Sequence, residues 1–300
     1  MGQVLLGFGA LVLLFTAYQL WGTTIFESQS QTQLRQQFEA ELRHREPSGT
    51  TPSSSSTTST APGSGTTSTG TGSTTPVAPP EGGPLGVIQI PSIGIDKVMV
   101  QGTDTADLRK GPGHYPSTAL PGQAGNVAIA GHRTTYGAPF YELNELTPGA
   151  LIILTTTWGT FDYSVTKSRV VSPTDLSPLA PSTQPVLTLT TCNPRFSATQ
   201  RLVVTAALQS TPVAGPVGTA SAGSQTNAEN SGLGGEQGNW VPALWWGLAA
   251  AAVGIGVRLT ARGRRRRRDR WVVYGGGSVV FLVVAFFFFA AVSPLLPASY

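Results

Sequence analysis

Three side chains in this sequence are of the types needed to break and remake an acyl bond. Cys192 is the single cysteine of the 300-residue chain and closes the run Thr188-Leu189-Thr190-Thr191-Cys192. A lone thiol cannot form an intramolecular disulfide, so it contributes either packing or chemistry. Arg201 follows nine residues later, and His132 precedes the cysteine by sixty, within Gly131-His132-Arg133. A cysteine at a strand end can present its sulfur while its backbone stays fixed. A histidine can carry the proton, and an arginine can donate two hydrogen bonds to a developing oxyanion or a substrate carbonyl. These are the parts required for acyl transfer through a thioester. Each also has a plain structural reading: a buried cysteine is a small hydrophobe, a histidine after glycine closes a turn, and an arginine pairs with an acid. Unperturbed thiol and imidazole titrate at about 8.5 and about 6.5, so the neutral pair dominates near neutral pH and the chemistry runs from a minor thiolate–imidazolium form.

The other two histidines offer less. His114, in Gly111-Pro112-Gly113-His114-Tyr115-Pro116, is expected in a structural or groove-edge role, and His44 lies in a polar approach segment. Three dispersed histidines and one cysteine supply no metal-ligand spacing, so neither a metal nor another cofactor is expected.

Short β-rich segments must position these groups. Strands are expected at residues 86–90, 93–100, 126–130, 151–157, 161–166, 186–191 and 201–208, with a hairpin around Trp158-Gly159-Thr160. Short helices are expected near Asp104 to Arg109 and Pro139 to Leu143, and a small closed or nearly closed β-barrel is the generic class. This catalytic domain occupies 81–212, where eight basic and eight acidic side chains cancel, so no basic surface steers a polyanion and nucleic acid is not an expected partner. It is flanked by a polar, then Ser/Thr/Gly/Pro-rich, linker at 27–80 and a flexible linker at 213–239. Residues 27 to 46, rich in Gln, Glu and Arg, can continue the helix that precedes them.

Apolar residues concentrate at the two ends of the chain. An N-terminal anchor at 1–26 and runs at 240–258 and 271–292 are each about the length of a membrane-crossing helix, with tryptophans 21, 240, 245, 246 and 271 near their ends. Eight arginines crowd the loop at 259–270 and its approach, from Arg258 to Arg270, which favours the cytoplasmic side. Three transmembrane helices then place the N-terminus inside, the barrel outside, and the tail at 293–300 outside.

The motifs together resemble the sortases. The segment Thr188–Cys192 with Arg201-Leu202-Val203-Val204, the stretch Gly125–Arg133, and Gly111–Pro116 are similar to the cysteine, histidine and preceding segments of that family, in the same order. The resemblance covers roughly residues 84 to 209. It implies an all-β, eight-stranded sortase-type barrel with Cys192 as nucleophile, His132 as proton-transfer partner and Arg201 as the oxyanion-stabilising group. Thr191, His114 and Tyr136 would line or shape the substrate groove. Such enzymes cut the Thr-Gly bond of a C-terminal sorting signal on secreted proteins, hold the threonyl group as a thioester, and release it to a peptidoglycan amine. The stretch His132–Phe140 and the segment Cys192–Phe196 are most similar to class E sortases of high-GC Gram-positive bacteria, which favour Leu-Ala-x-Thr-Gly over Leu-Pro-x-Thr-Gly. The alternatives are a pilus-polymerising class C-like enzyme, a cysteine protease that hydrolyses the thioester, and a noncatalytic wall-binding scaffold.

Overall fold

Alternation along the strands builds the core. Ile88 and Ile90, Val127 and Ile129, Ile152 and Leu154, Leu187 and Leu189 are all buried in one apolar cluster, while the residues between them face the other way. In the computed structural model, which describes residues 2–45, 76–213, 240–263 and 267–292, these strands close into a barrel. They are β1 (Pro84–Ile90), β2 (Ile95–Gln101), β3 (Gly113–His114), β4 (Asn126–Ala130), β5 (Leu151–Thr156), β6 (Gly159–Val171), β7 (Val186–Asn193) and β8 (Gln200–Leu208). The order around the barrel is β1-β2-β3-β4-β7-β8-β6-β5. Eight strands enclose a space that side chains alone can fill.

Two parallel contacts interrupt the antiparallel pattern. β4 runs parallel to β7, from Asn126↔Val186 to Ala130↔Thr190, and β2 runs parallel to β3. β7 then pairs antiparallel with β8, with Cys192 directly opposite Arg201. The expected strand at 93–100 begins two residues later, because Pro91–Ile93 forms a 3-10 turn ended by left-handed Gly94 (φ 64°). β3 is only two residues long and has no alternation to read, so it was not anticipated. Near the expected helix at 104–109, α3 spans Thr105–Leu108 and is capped by the Asp104 side chain, which accepts from the Asp107 N–H. The helix expected at 139–143 is instead a 3-10 turn at Leu143–Glu145.

The membrane segments differ from expectation. Among the described residues, two helices, over Val241–Arg262 and Val273–Val292, are long and apolar enough to cross a bilayer, rather than three. The N-terminal apolar run forms α1 (Gly2–Ala17), 16 residues long, then a π-helical turn at Tyr18–Gly22, and continues as α2 (Thr23–Arg45). At about 1.5 Å per residue, α1 alone spans about 24 Å, short of a hydrocarbon core of about 30 Å. The two C-terminal helices, α4 (Val241–Gly263) and α5 (Arg267–Val292), form a hairpin, with Trp246 stacked on Phe287 at 4.9 Å. Phe15 meets Phe289 and Tyr18 meets Phe286, both at 5.2 Å. The linker at 46–75, the linker from 214 to 239, residues 264–266 of the arginine-rich loop and the tail from 293 lie outside the described residues.

Residues 27–45 continue the N-terminal helix as the body of α2, but lie against the barrel rather than reaching outward from it. Leu34 and Phe38 are buried with Val87, Val98 and Val100 on the outer face of β1 and β2. Burying two such side chains stabilises the contact by about 1.5–3 kcal/mol each. Gln31 completes it in the manner of a neighbouring strand: its amide donates to the carbonyls of Val98 (2.9 Å) and Lys110 (2.8 Å) and accepts the Val98 N–H (2.7 Å). This satisfies backbone groups that the short β3 leaves open.

Candidate active site

The barrel topology brings the three expected residues together. Because β4 and β7 are parallel and Ala130 pairs with Thr190, the chain two residues beyond each puts His132 level with Cys192. Two bonds hold the strand ends at that level: Gly131 N–H donates to Thr190 O (3.1 Å), and Thr191 Oγ1 donates to Gly131 O (2.7 Å). Thr191 thereby ties the histidine segment to the cysteine strand. Its hydroxyl is buried in this link. Arg201, across the β7–β8 pair from Cys192, is fixed at its other end by Nη1, which donates to Ala198 O (3.0 Å) and Gln200 O (3.2 Å). Directly opposed residues of an antiparallel pair share one face of the sheet, so the guanidinium and thiol are neighbours.

All three are nearly dry, at 6% exposure for Cys192 and Arg201 and 2% for His132. Burial pushes the Cys192 thiol up despite the opposing pull of Arg201 and Arg133. Burial, aided by Arg109, pushes the His132 imidazole down to about 3. Both shifts favour the neutral thiol and neutral imidazole. His132 Nδ1 has Thr135 Oγ1 at 3.4 Å, and among the described residues nothing hydrogen-bonds to Nε2. Iodoacetamide alkylation of Cys192 should therefore rise about tenfold per pH unit from pH 6 to 8.5, without levelling below pH 9. A plateau below pH 8 would show that the cationic neighbours outweigh burial.

Arg133 was not anticipated as part of the site. Its Nη1 donates to Cys192 O (3.0 Å) and Asn193 Oδ1 (2.8 Å), and its Nη2 to Asn144 Oδ1 (2.8 Å). It thus grips the peptide of Cys192 and adds a second positive charge near the sulfur. The one available signal was its place directly after His132. Arg109, which acts on His132 from the end of α3, had no sequence signal.

The remaining candidates, His114 and Tyr136, are both buried. His114 is fully buried, with Nδ1 3.0 Å from Gln101 Oε1 and Nε2 2.8 Å from Ala119 O. Tyr136 is buried on the His132 ring, with centroids 5.0 Å apart. Burial pushes the His114 imidazole down to about 4, so the folded state resists a proton that the unfolded chain accepts at about pH 6.5. Stability from neutral His114 is complete above pH 6.5 and is lost as pH falls toward 4, about 3 kcal/mol in all. His114→Gln should reduce the slope of unfolding free energy against pH in that window by about 1.4 kcal/mol per unit. An unchanged slope would show that His114 is already protonated in the fold.

Residues 88–209 match the family model described as Sortase domain. Among curated proteins, Sortase D of Bacillus subtilis is 35% identical over 117 residues, which are 39% of this chain and 58% of the relative. Sortase SrtE1 of Streptomyces coelicolor is 28% identical over 221 residues, 68% of this chain and 54% of that protein. The chain thus spans a little over half the length of these curated relatives. The solved structure of sortase E from Streptomyces avermitilis is 40% identical, with 44% of this chain covering 93% of that one at a TM-score of 0.40. With the Sortase domain model matching the barrel, the chain belongs to the sortase family.

Proposed function

We propose that this protein is a membrane-anchored cysteine transpeptidase of the class E kind. It cleaves the Thr-Gly bond of a C-terminal sorting signal and passes the acyl group to a cell-wall amine. The observation that carries this reading is the pairing of Cys192 with Arg201 across β7–β8, at the level where parallel β4 delivers His132. In the minor ionised form the thiolate attacks the threonyl carbonyl, and the Arg201 guanidinium stabilises the oxyanion. The imidazolium of His132 protonates the departing glycine amine, and a threonyl thioester on Cys192 remains. The incoming amine attacks that thioester, His132 takes up its proton, and the thiolate leaves. The resemblance of Cys192–Phe196 and His132–Phe140 to class E favours Leu-Ala-x-Thr-Gly as the signal.

The barrel then lies outside the cell, and α4 and α5 are the membrane-crossing pair that anchors it. Phe15 and Tyr18, late in the N-terminal helix, meet Phe286 and Phe289 at the far end of α5, while Trp246, early in α4, stacks on Phe287. These contacts bring the end of the N-terminal apolar run, the start of α4 and the end of α5 to one level. That arrangement supports an N-terminus and arginine loop on the cytoplasmic side.

The test uses the full chain in detergent micelles with Leu-Ala-x-Thr-Gly or Leu-Pro-x-Thr-Gly peptides, with and without an amine acceptor, followed by mass spectrometry. A Cys192 acyl adduct that resolves into an amine-ligated peptide, fastest with the alanine signal, is expected. Hydrolysed peptide that added amine does not divert would make the protein a protease. No adduct with either peptide would withdraw the substrate assignment.

A further inference from the structure

Tyr136, Gly137 and Ala138, four to six residues after the candidate catalytic histidine, all have left-handed backbones, with φ of 49°, 71° and 43°. For tyrosine and alanine this conformation costs about 1–2 kcal/mol each, and it persists only where the surroundings impose it. The surroundings here are the end of the N-terminal anchor. Thr23 Oγ1 donates to Gln19 O (2.8 Å) and accepts the Tyr136 N–H (3.2 Å). Phe26 meets the Tyr136 ring edge-on at 6.4 Å. Glu27, only 1% exposed and paired with Lys97 at 2.7 Å, fills the space beside Gly137, where an added Cβ would lie 2.5 Å from its carboxylate. On its other side the Tyr136 ring lies against the His132 imidazole, and the Arg109 guanidinium sits 5.6 Å over it.

We infer that this helix end is a working part of the active site: Thr23, Phe26 and Glu27 lock the Tyr136 turn, and Tyr136 acts as a positioning residue that fixes the His132 imidazole. What His132 does rests on the transpeptidase reading; where it is held does not. The lock closes at the outer end of the apolar anchor, so a barrel cut free of its helix keeps all three reactive residues but loses the support of one of them. The π turn at Tyr18–Gly22 contributes directly, since Thr23 reaches back to Gln19 within it and forward to the barrel with one hydroxyl.

The experiment compares the full chain in detergent with Thr23→Val and Tyr136→Ala, the conservative Thr23→Ser and Tyr136→Phe, and Phe38→Ala at the far end of the same helix. Thr23→Val and Tyr136→Ala should lower kcat for peptide-to-amine transfer by about 10- to 100-fold with KM within about twofold of wild type, as a misplaced catalytic group does. The conservative variants should recover most of that loss. Phe38→Ala should lower the melting temperature but leave kcat alone. A second readout is independent of transfer: diethyl pyrocarbonate should modify His132 slowly in the wild type and at least about tenfold faster in Thr23→Val and Tyr136→Ala, with exposed His44 as internal reference. Wild-type kcat in both disruptive variants, or equal modification of His132 in every protein, would overturn the inference. Absent transfer by the wild type, combined with His132 exposed only in the disruptive variants, would remove the transpeptidase reading and leave the lock established.

Discussion

Cys192→Ala in the full chain should yield no acyl adduct and lower amine transfer by at least about 10⁴-fold, because the chain has no second thiol to hold the acyl group as a thioester. Cys192 is the only cysteine, and its strand is held from both sides, by β4 and β8, independently of its sulfur. The substitution removes one buried atom and keeps the Arg133 bond to the Cys192 carbonyl, so the fold should survive and the melting temperature should change by a few degrees at most. His132→Ala should be nearly as damaging, by about 10³-fold, for a different reason. The nucleophile remains, but no group is left at its level to receive and return the proton. The two variants separate by trapping: intact mass after peptide treatment should show no adduct for Cys192→Ala and a slow, alkali-favoured adduct for His132→Ala. An adduct of full yield in Cys192→Ala would sink the mechanism outright.

That Cys192, His132 and Arg201 come together was legible in the sequence because each sits in a local motif whose order survives without knowledge of the fold. The strands were legible for a similar reason. Ile88/Ile90 and Leu187/Leu189 alternate with residues facing the other way, and period two is a local property. What escaped notice depends on distant segments meeting. β3 is two residues long and exists only because β2 and β4 flank it. Arg109 reaches the His132 environment from another loop, and Tyr136 becomes buried only once Thr23 and Phe26 arrive from more than a hundred residues away. The segment at 27–45 is polar enough to read as a tether, yet a few residues, Glu27, Gln31, Leu34 and Phe38, suffice to seat it on the barrel. A helix whose inner face is so sparsely apolar gives a weak periodic signal, and its docking surface, the outer side of Val87, Val98 and Val100, is itself written as ordinary strand alternation.

Arg201→Lys should lower kcat by about 10²-fold while changing peptide KM little, although the positive charge is retained. The geometry explains why charge is not enough. The guanidinium is planar, and its Nη1 is anchored to the carbonyls of Ala198 and Gln200, which aims the head group across the strand pair toward Cys192. A lysine ammonium is shorter, has no fork, and would satisfy the same loop carbonyls by drawing back from the sulfur. It would therefore act as a diffuse charge in place of a directed pair of donors. Part of the thiolate stabilisation should survive, because Arg133 remains on the Cys192 carbonyl and also pulls the thiol down. The variant thus makes a two-part forecast: alkylation of Cys192 by iodoacetamide should fall only about threefold at pH 7.5, while acyl-adduct formation from a sorting peptide falls by about two orders of magnitude. Equal losses in both assays would mean that Arg201 acts only on the thiol. A loss confined to KM would make it a substrate-binding residue, and the oxyanion would then need a different donor.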